Sequence, residues 1–313
     1  MLTNLTFALT VTAPTFLLIC LGIFLKRVGI INNEFAQIGS DLVFKVTLPC
    51  MLFVKLIQVN FDSPPITLVV YALISTIIAF LFLDLLIAPR LVKEDRSAFV
   101  QGAFRSNMGI IGLAYCINAY GDAVLASASI YLALVTILYN VLSMLTLTRH
   151  QLNEGHTLRI KQALLGIIRN PLILSILLSM SLSLLSVTPP RFLLDSMDYV
   201  GSMSMPLALL CIGASIRWRD FRVSKNLYWT TLAKLFIVPG LITMGGILVS
   251  LRGDVLGILY LMASAPSATA GYAMLRSIGG NHFLGAAIIA TTSLSSVVAV
   301  TLGLFILRNY NLI

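Results

Sequence analysis

Ionisable side chains are what this chain has least of. Asp, Glu, Lys and Arg make up only 11% of its 313 residues, and 12 acidic residues stand against 21 basic ones. Histidine occurs three times and cysteine four times. With 58% hydrophobic residues and a mean hydropathy of +0.96, no single soluble core could hide the apolar surface, so lipid has to act as solvent. Cys20, Cys50, Cys116 and Cys211 stand singly in apolar runs, without the paired spacing of a disulfide frame or a metal site. His150 and His156 fall in the longest polar connection and His282 in a short turn, and all three read as solvated loop residues, with no metal ligand or proton relay among them. An intramembrane enzyme is disfavoured too. There is no paired-His motif, and Ala119-Tyr120-Gly121-Asp122 sits at a turn, with alanine where an aspartyl protease of the membrane would need glycine. Neither a catalytic centre nor a cofactor is expected.

Apolar runs of membrane length are abundant instead. A helix of about 20 residues spans a hydrocarbon core, and stretches of that size lie near 6–25, 35–58, 66–88, 98–119, 124–147, 167–187, 194–216, 227–250, 255–276 and 283–307. The expected fold is therefore all-α integral membrane with ten transmembrane helices. The first run follows Met1-Leu2-Thr3-Asn4 with no Lys or Arg ahead of it, so it reads as a retained helix and not a cleaved signal. Five residues recur 157 positions apart at matching places in these runs: Pro14 and Pro171, Phe35 and Phe192, Asp41 and Asp198, Pro49 and Pro206, Tyr71 and Tyr228. Two copies of one five-helix unit, 1–156 and 157–313, account for this. Because each unit crosses an odd number of times, the second copy enters from the opposite side, giving the inverted repeat of secondary transporters.

Orientation follows from the cations. Lys26, Arg27, Arg90, Lys93, Arg96, Arg149, Arg159, Lys161, Arg169, Arg217, Arg219, Arg222, Lys225 and Arg276 all fall in odd-numbered connections, against Arg191, Arg252 and Arg308 on the other side. The positive-inside bias places the fourteen in the cytoplasm and both termini outside, in a cell (inner or plasma) membrane. This accounts for the net charge of +9 without a nucleic-acid partner; membrane lipid is the partner, and anionic lipid at Arg217–Lys225 is a second reading of that loop.

Function should lie where the helical pattern breaks. Segment four carries Arg105-Ser106-Asn107-Met108-Gly109 in mid-span, and segment nine carries Ala265-Pro266-Ser267-Ala268-Thr269 at an offset of about 159. Pro266 removes a backbone donor, and matched Gly/Pro interruptions in two halves mark a midplane site formed by discontinuous helices, whose N-terminal ends suit an anion. Ser106, Asn107, Gly109, Pro266, Ser267 and Thr269 are the substrate-binding candidates. Buried charges need partners. Asp84, Arg105 and Lys234 reach similar depths on segments 3, 4 and 8, and either form one polar cluster beside the crossover or, for the two cations, snorkel to the headgroups. Asp41 and Lys45, four apart, pair on one helix face, as a structural ion pair in preference to a coupling-ion site. Pro49 and Pro206 read mainly as bends, with a lesser place along the substrate path. Asn140 beside Tyr139, and Ser293 within Thr291–Ser296, read equally as cavity lining or as helix-packing contacts.

At these residues the chain resembles the auxin efflux carrier family, which includes the plant PIN-FORMED proteins and bacterial permeases. Arg105–Gly112 is similar to the first crossover motif of that family and Ala265–Thr269 to the second, with further matches at Thr47-Leu48-Pro49-Cys50, Arg169-Asn170-Pro171-Leu172 and Ser204-Met205-Pro206-Leu207. The resemblance implies a fold like that of sodium/proton antiporters and bile-acid transporters, with helices 1, 2, 6 and 7 as scaffold, 3–5 and 8–10 as a moving transport domain, and broken helices 4 and 9 crossing. Plant carriers often have a long hydrophilic centre, absent here, and an Asn in the second crossover, where this chain has Pro266, Ser267 and Thr269. These departures point away from auxin and, by similarity to bacterial members, toward small organic acids such as malate or malonate. The expectation is a secondary transporter of a small organic anion working by alternating access. An anion channel and a Na⁺- or H⁺-coupled transporter of another substrate stay open, as does a homodimer.

Overall fold

The computed structural model describes residues 1–57, 65–151, 170–185, 187–216, 224–278 and 280–313. Expectations that fall on His156, Arg159, Lys161, Arg169, Arg217, Arg219 and Arg222 lie outside the described residues. Among those described the chain is helical, and the single β-type contact is an isolated bridge.

The helices are α1 (Leu2–Arg27), α2 (33–57), α3 (Ile66–Arg90), α4 (Lys93–Phe104), α5 (108–120), α6 (Leu125–Gln151), α7 (Pro171–Leu184), α8 (Arg191–Ser215), α9 (Lys225–Leu248), α10 (Gly253–Ser264), α11 (Thr269–Ile278) and α12 (His282–Asn309). Six helical stretches among the described residues are long and apolar enough to cross a membrane. Their outer faces agree with that role: Leu17, Ile78, Leu241 and Val298 are each more than 60% exposed, which water would penalise and lipid does not.

Helix starts are set by local chemistry. Asn32, Asn170, Ser224 and Asn281 each accept a hydrogen bond from a first-turn N–H of α2, α7, α9 and α12, satisfying donors that a helix end otherwise leaves free. Four helices carry a π-helical turn, over Val43–Thr47 in α2, Phe82–Ile87 in α3, Met108–Gly112 in α5 and Ala233–Ile237 in α9. One extra residue per turn re-aims the side chains around it. Lys45, Asp84 and Lys234 each lie in one of these turns.

Packing divides the helices into two groups. α1 runs along the second half of α8, and α2 packs on α7 and α8; α3, α4, α5, α6, α9, α10, α11 and α12 form the other group. The groups meet where α1 lies on α12 and α5, and where α6 meets α7. The α1–α8 approach depends on missing side chains. A Cβ on Gly22 would stand 2.3 Å from the Leu210 carbonyl oxygen, and one on Gly213 2.1 Å from that of Ile19. Only hydrogen allows the two backbones to come this close.

Candidate functional site

The second group is centred on two interrupted helices. α4 ends at Phe104, and extended backbone at Arg105 carries the chain through Asn107 before α5 begins. α10 ends at Ser264, and the chain reaches α11 at Thr269. Backbone groups freed in an apolar interior must find partners, and each break finds them in the other. Ser106 and Ser267 form the antiparallel bridge, with Asn107 N–H donating to the Pro266 carbonyl at 2.7 Å and Ala268 N–H to the Arg105 carbonyl at 3.1 Å. The serine hydroxyls complete the exchange. Ser106 Oγ donates to the Ala263 carbonyl at 2.9 Å and Ser267 Oγ to the Gly102 carbonyl, each in the last turn of the opposite helix. Ser267 N–H donates to Thr292 Oγ1 of α12 at 3.1 Å.

Two cations converge here. Lys234, fully buried, donates to Ser106 Oγ and to the Ala263 carbonyl at 2.9 Å. Arg105, 5% exposed, donates to Asn140 Oδ1 at 2.7 Å, to Ser143 Oγ at 3.1 Å and to Met274 Sδ at 3.2 Å. No carboxylate pairs with either among the described residues. Both sequence-based alternatives for these cations therefore need correcting. They do not snorkel, being buried, and Asp84 is not their partner. Asp84 instead accepts from Thr146 Oγ1, from Arg149 at 3.2 Å and shares a 2.9 Å hydrogen bond with His150, all on α6. His150 is accordingly a buried helix residue and not a solvated loop residue, because α6 runs one turn beyond the apolar stretch that marks it.

A cavity of about 1820 Å³ ends at the crossing. Its lining comes from the starts of α2, α7 and α12 and the ends of α8 and α11, the end of the bundle that carries Arg27, Arg90 and Lys93. Arg105, Ser106, Asn107, Gly109 and Thr269 lie at the crossing end, joined by Thr136, Tyr139 and Asn140 of α6. The Asn107 side chain, only 5% exposed, has no hydrogen-bond partner among the described residues and fronts this space. Apolar Ile110, Leu132, Leu172 and Ile212 complete the surroundings.

The remaining candidates separate. Asp41 and Lys45 line the outer cavity as an exposed pair at 2.6 Å, so their charges cancel there. Asp95, also at the mouth, accepts from Asn226 at 2.6 Å and Asn281 at 2.7 Å. Pro266 and Ser267 stand behind the lining, with the Ser267 hydroxyl committed to Gly102. Pro49, Pro206 and Ser293 do not line the cavity. Pro49 follows the π-helical turn of α2 and its carbonyl accepts from Ser175 Oγ at 2.6 Å; Pro206 follows the interruption of α8 at Met203. His282, expected in solvent, lines the mouth and packs its ring 6.1 Å from that of Tyr272. Ser143 and Thr136 escaped the sequence reading, although Thr136, Asn140, Ser143, Thr146 and His150 recur every three or four residues on one face of an otherwise apolar helix. Among the described residues no group of His, Cys, Asp or Glu is placed to hold a metal ion.

Comparison with known proteins places this chain among membrane transport proteins. A family model described as membrane transport protein matches residues 7–304. The chain is 22% identical to the uncharacterized transporter YfdV of Escherichia coli K12 over 97% of its own length and 99% of that protein. It is 23% identical to the uncharacterized transporter MJ1031 of Methanocaldococcus jannaschii over 80% of its length and 83% of that protein.

Proposed function

Because the chain belongs to the membrane transport protein family, the family of the auxin efflux carriers, we propose that it is a secondary transporter of a small organic anion, with the crossing of α4/α5 and α10/α11 as the binding site. One observation carries this reading: among the described residues, a buried arginine without a carboxylate and an asparagine amide without a partner front the same cavity at the crossing. Arg105 supplies the charge, held in place by Asn140 and Ser143. Asn107 supplies an NH2 donor group and a carbonyl acceptor. The N-terminal ends of α5 and α11 add positive dipole ends, to which Gly109 gives close access. Thr269 offers a hydroxyl at the start of α11.

In the same proposal the chain crosses the membrane ten times as two inverted units, α1 to α6 and α7 to α12, each with one broken span. Two features support it. Thr47 and Ser204 are repeat mates 157 positions apart, and Ser204 Oγ donates to Thr47 Oγ1 at 3.0 Å, as residues beside a twofold axis do. The reciprocal use of Ser106 and Ser267 at the two breaks follows the same symmetry. The α1, α2, α7, α8 group then acts as scaffold and the other as transport domain. With the cationic end in the cytoplasm, the cavity opens inward and both termini lie outside. Behind the crossing, Gly112 packs on Met262 with Sδ 3.0 Å from where a Cβ would stand, which favours alternating access over an open pore.

The test is uptake by purified protein in proteoliposomes against a panel of mono- and dicarboxylates, with and without Na⁺ and pH gradients. Concentrative or exchange-stimulated flux is expected, and Asn107→Ala should weaken apparent affinity about five- to a hundredfold, the effect of roughly 1–3 kcal/mol from one buried hydrogen bond. Anion flux that neither saturates nor responds to internal substrate would instead indicate a channel, and wild-type affinity in Asn107→Ala would place the substrate elsewhere.

A further inference from the structure

Gln101 is the most anomalous polar residue outside the site just described. It lies on α4 one turn before the break and is 3% exposed, and both its amide oxygen and its amide nitrogen are buried without a hydrogen-bond partner among the described residues. An amide stripped of water and left unpaired bears the full cost of its desolvation, so a native fold rarely leaves one so.

The molecule contains its own control. Across the crossing, Met262 of α10 packs on Gly112 of α5, and Gln101 of α4 packs on Gly271 of α11; a Cβ on Gly271 would lie 3.5 Å from Gln101 Oε1. Each is a long side chain shortly before one break, set against a glycine just past the other. On the side away from the main cavity the position is held by an apolar thioether and the contact is closed. On the cavity side it is held by an amide, and beside it lies a small separate cavity of about 10 Å³ lined by Gln101, Ser267, Gly271, Leu275, Gly285 and Ile288, among others. Packing alone would be met by methionine, as Met262 shows. The amide indicates a guest that hydrogen-bonds.

We propose that Gln101, Ser267 and Gly271 form a binding site for one buried water molecule, which joins the two half-helices on the cavity side of the crossing. The space matches about one water. The Gln101 amide offers a donor and an acceptor, and Ser267 Oγ, whose proton goes to Gly102, keeps lone pairs as a further partner. A bare cation fits less well. Among the described residues no carboxylate lines the space, and Arg105, one turn further along the chain, is a buried cation that no described carboxylate pairs with. The contact between α4 and α11 is therefore wet, while its counterpart between α5 and α10 is dry.

Hydroxyl-radical labelling by a brief X-ray pulse, read by mass spectrometry on the purified full-length chain, tests this, because radicals form on bound water and mark the side chains beside it. Leu275 and Ile288, each 1% exposed, should be labelled in the wild type well above Leu259 and Leu261, which are fully buried. In Gln101→Met, which copies the Met262 arrangement, labelling at Leu275 and Ile288 should fall to the level of those controls, with a melting temperature equal to or above wild type. Labelling at control level in the wild type overturns the proposal, as does undiminished labelling in Gln101→Met. A lower melting temperature in Gln101→Met overturns it by indicating that the amide bonds directly within the protein. A melting temperature raised by NaCl over choline chloride at equal ionic strength, with the rise lost in Gln101→Met, overturns it in favour of a sodium ion.

Discussion

Arg105 and Lys234 are chemically similar and geometrically distinct. Arg105 fronts the cavity; Lys234 is turned to Ser106 and the Ala263 carbonyl and does not line it. Hydrogen bonds to a charged group are worth about 1.5–3 kcal/mol, so Arg105→Gln should reduce carboxylate affinity roughly ten- to a hundredfold while the protein still folds. Lys234→Met should reduce it less, through potential alone. Initial uptake rates against substrate concentration for both variants decide the matter, and equal effects would mean that the cavity lining misassigns one of them. Mid-span cations and an amide beside glycine were readable from sequence, since lipid tolerates them only at a functional or packed site. The Asp84–His150 contact was not. It joins residues 66 apart in the chain, on helices whose facing sides no local pattern fixes, and it depends on the last turn of α6, where the residues are already polar.

Among the elements, the broken helices were legible because proline, glycine and small polar residues interrupt apolar runs; the ends fixed by the caps Asn32, Asn170, Ser224 and Asn281 come from the structure, since apolar runs mark helix ends only approximately. The π-helical turns were not legible. One inserted residue leaves composition unchanged, yet it re-aims Lys234 and Asp84 and so decides which buried charges meet. The crossing itself is held by few bonds, which makes it a sensitive element. Ser267→Ala leaves the Gly102 carbonyl without its serine donor, and Ser106→Ala also takes an acceptor from the buried Lys234 ammonium. Each loss is about 1–3 kcal/mol, so both variants should melt a few degrees below wild type in detergent, Ser106→Ala lower than Ser267→Ala. The reverse order would show that Lys234 does not depend on that hydroxyl.

For the whole molecule, the two-copy reading and the cation distribution bear on one quantity, the side on which each connection lies. If the second unit is inverted, helix ends that are equivalent by repeat must face opposite compartments. Ile30 and Val92, exposed at the cationic end, should lie inside; Leu185 and Tyr310, exposed at the other, should lie outside. The four native cysteines stand in helices, two of them buried, and can be replaced by alanine or serine to give a silent background. Single cysteines at the four exposed positions should then divide cleanly in intact cells: an impermeant maleimide labels positions 185 and 310 at once, and labels 30 and 92 only after permeabilisation. Labelling of 30 and 185 together would break the inverted repeat, because those ends follow α1 and α7, which the repeat makes equivalent and opposite. Labelling of 30 and 92 alone would keep the repeat but reverse the molecule, and the cavity at the crossing would then open outward, making it the entrance for uptake from outside the cell.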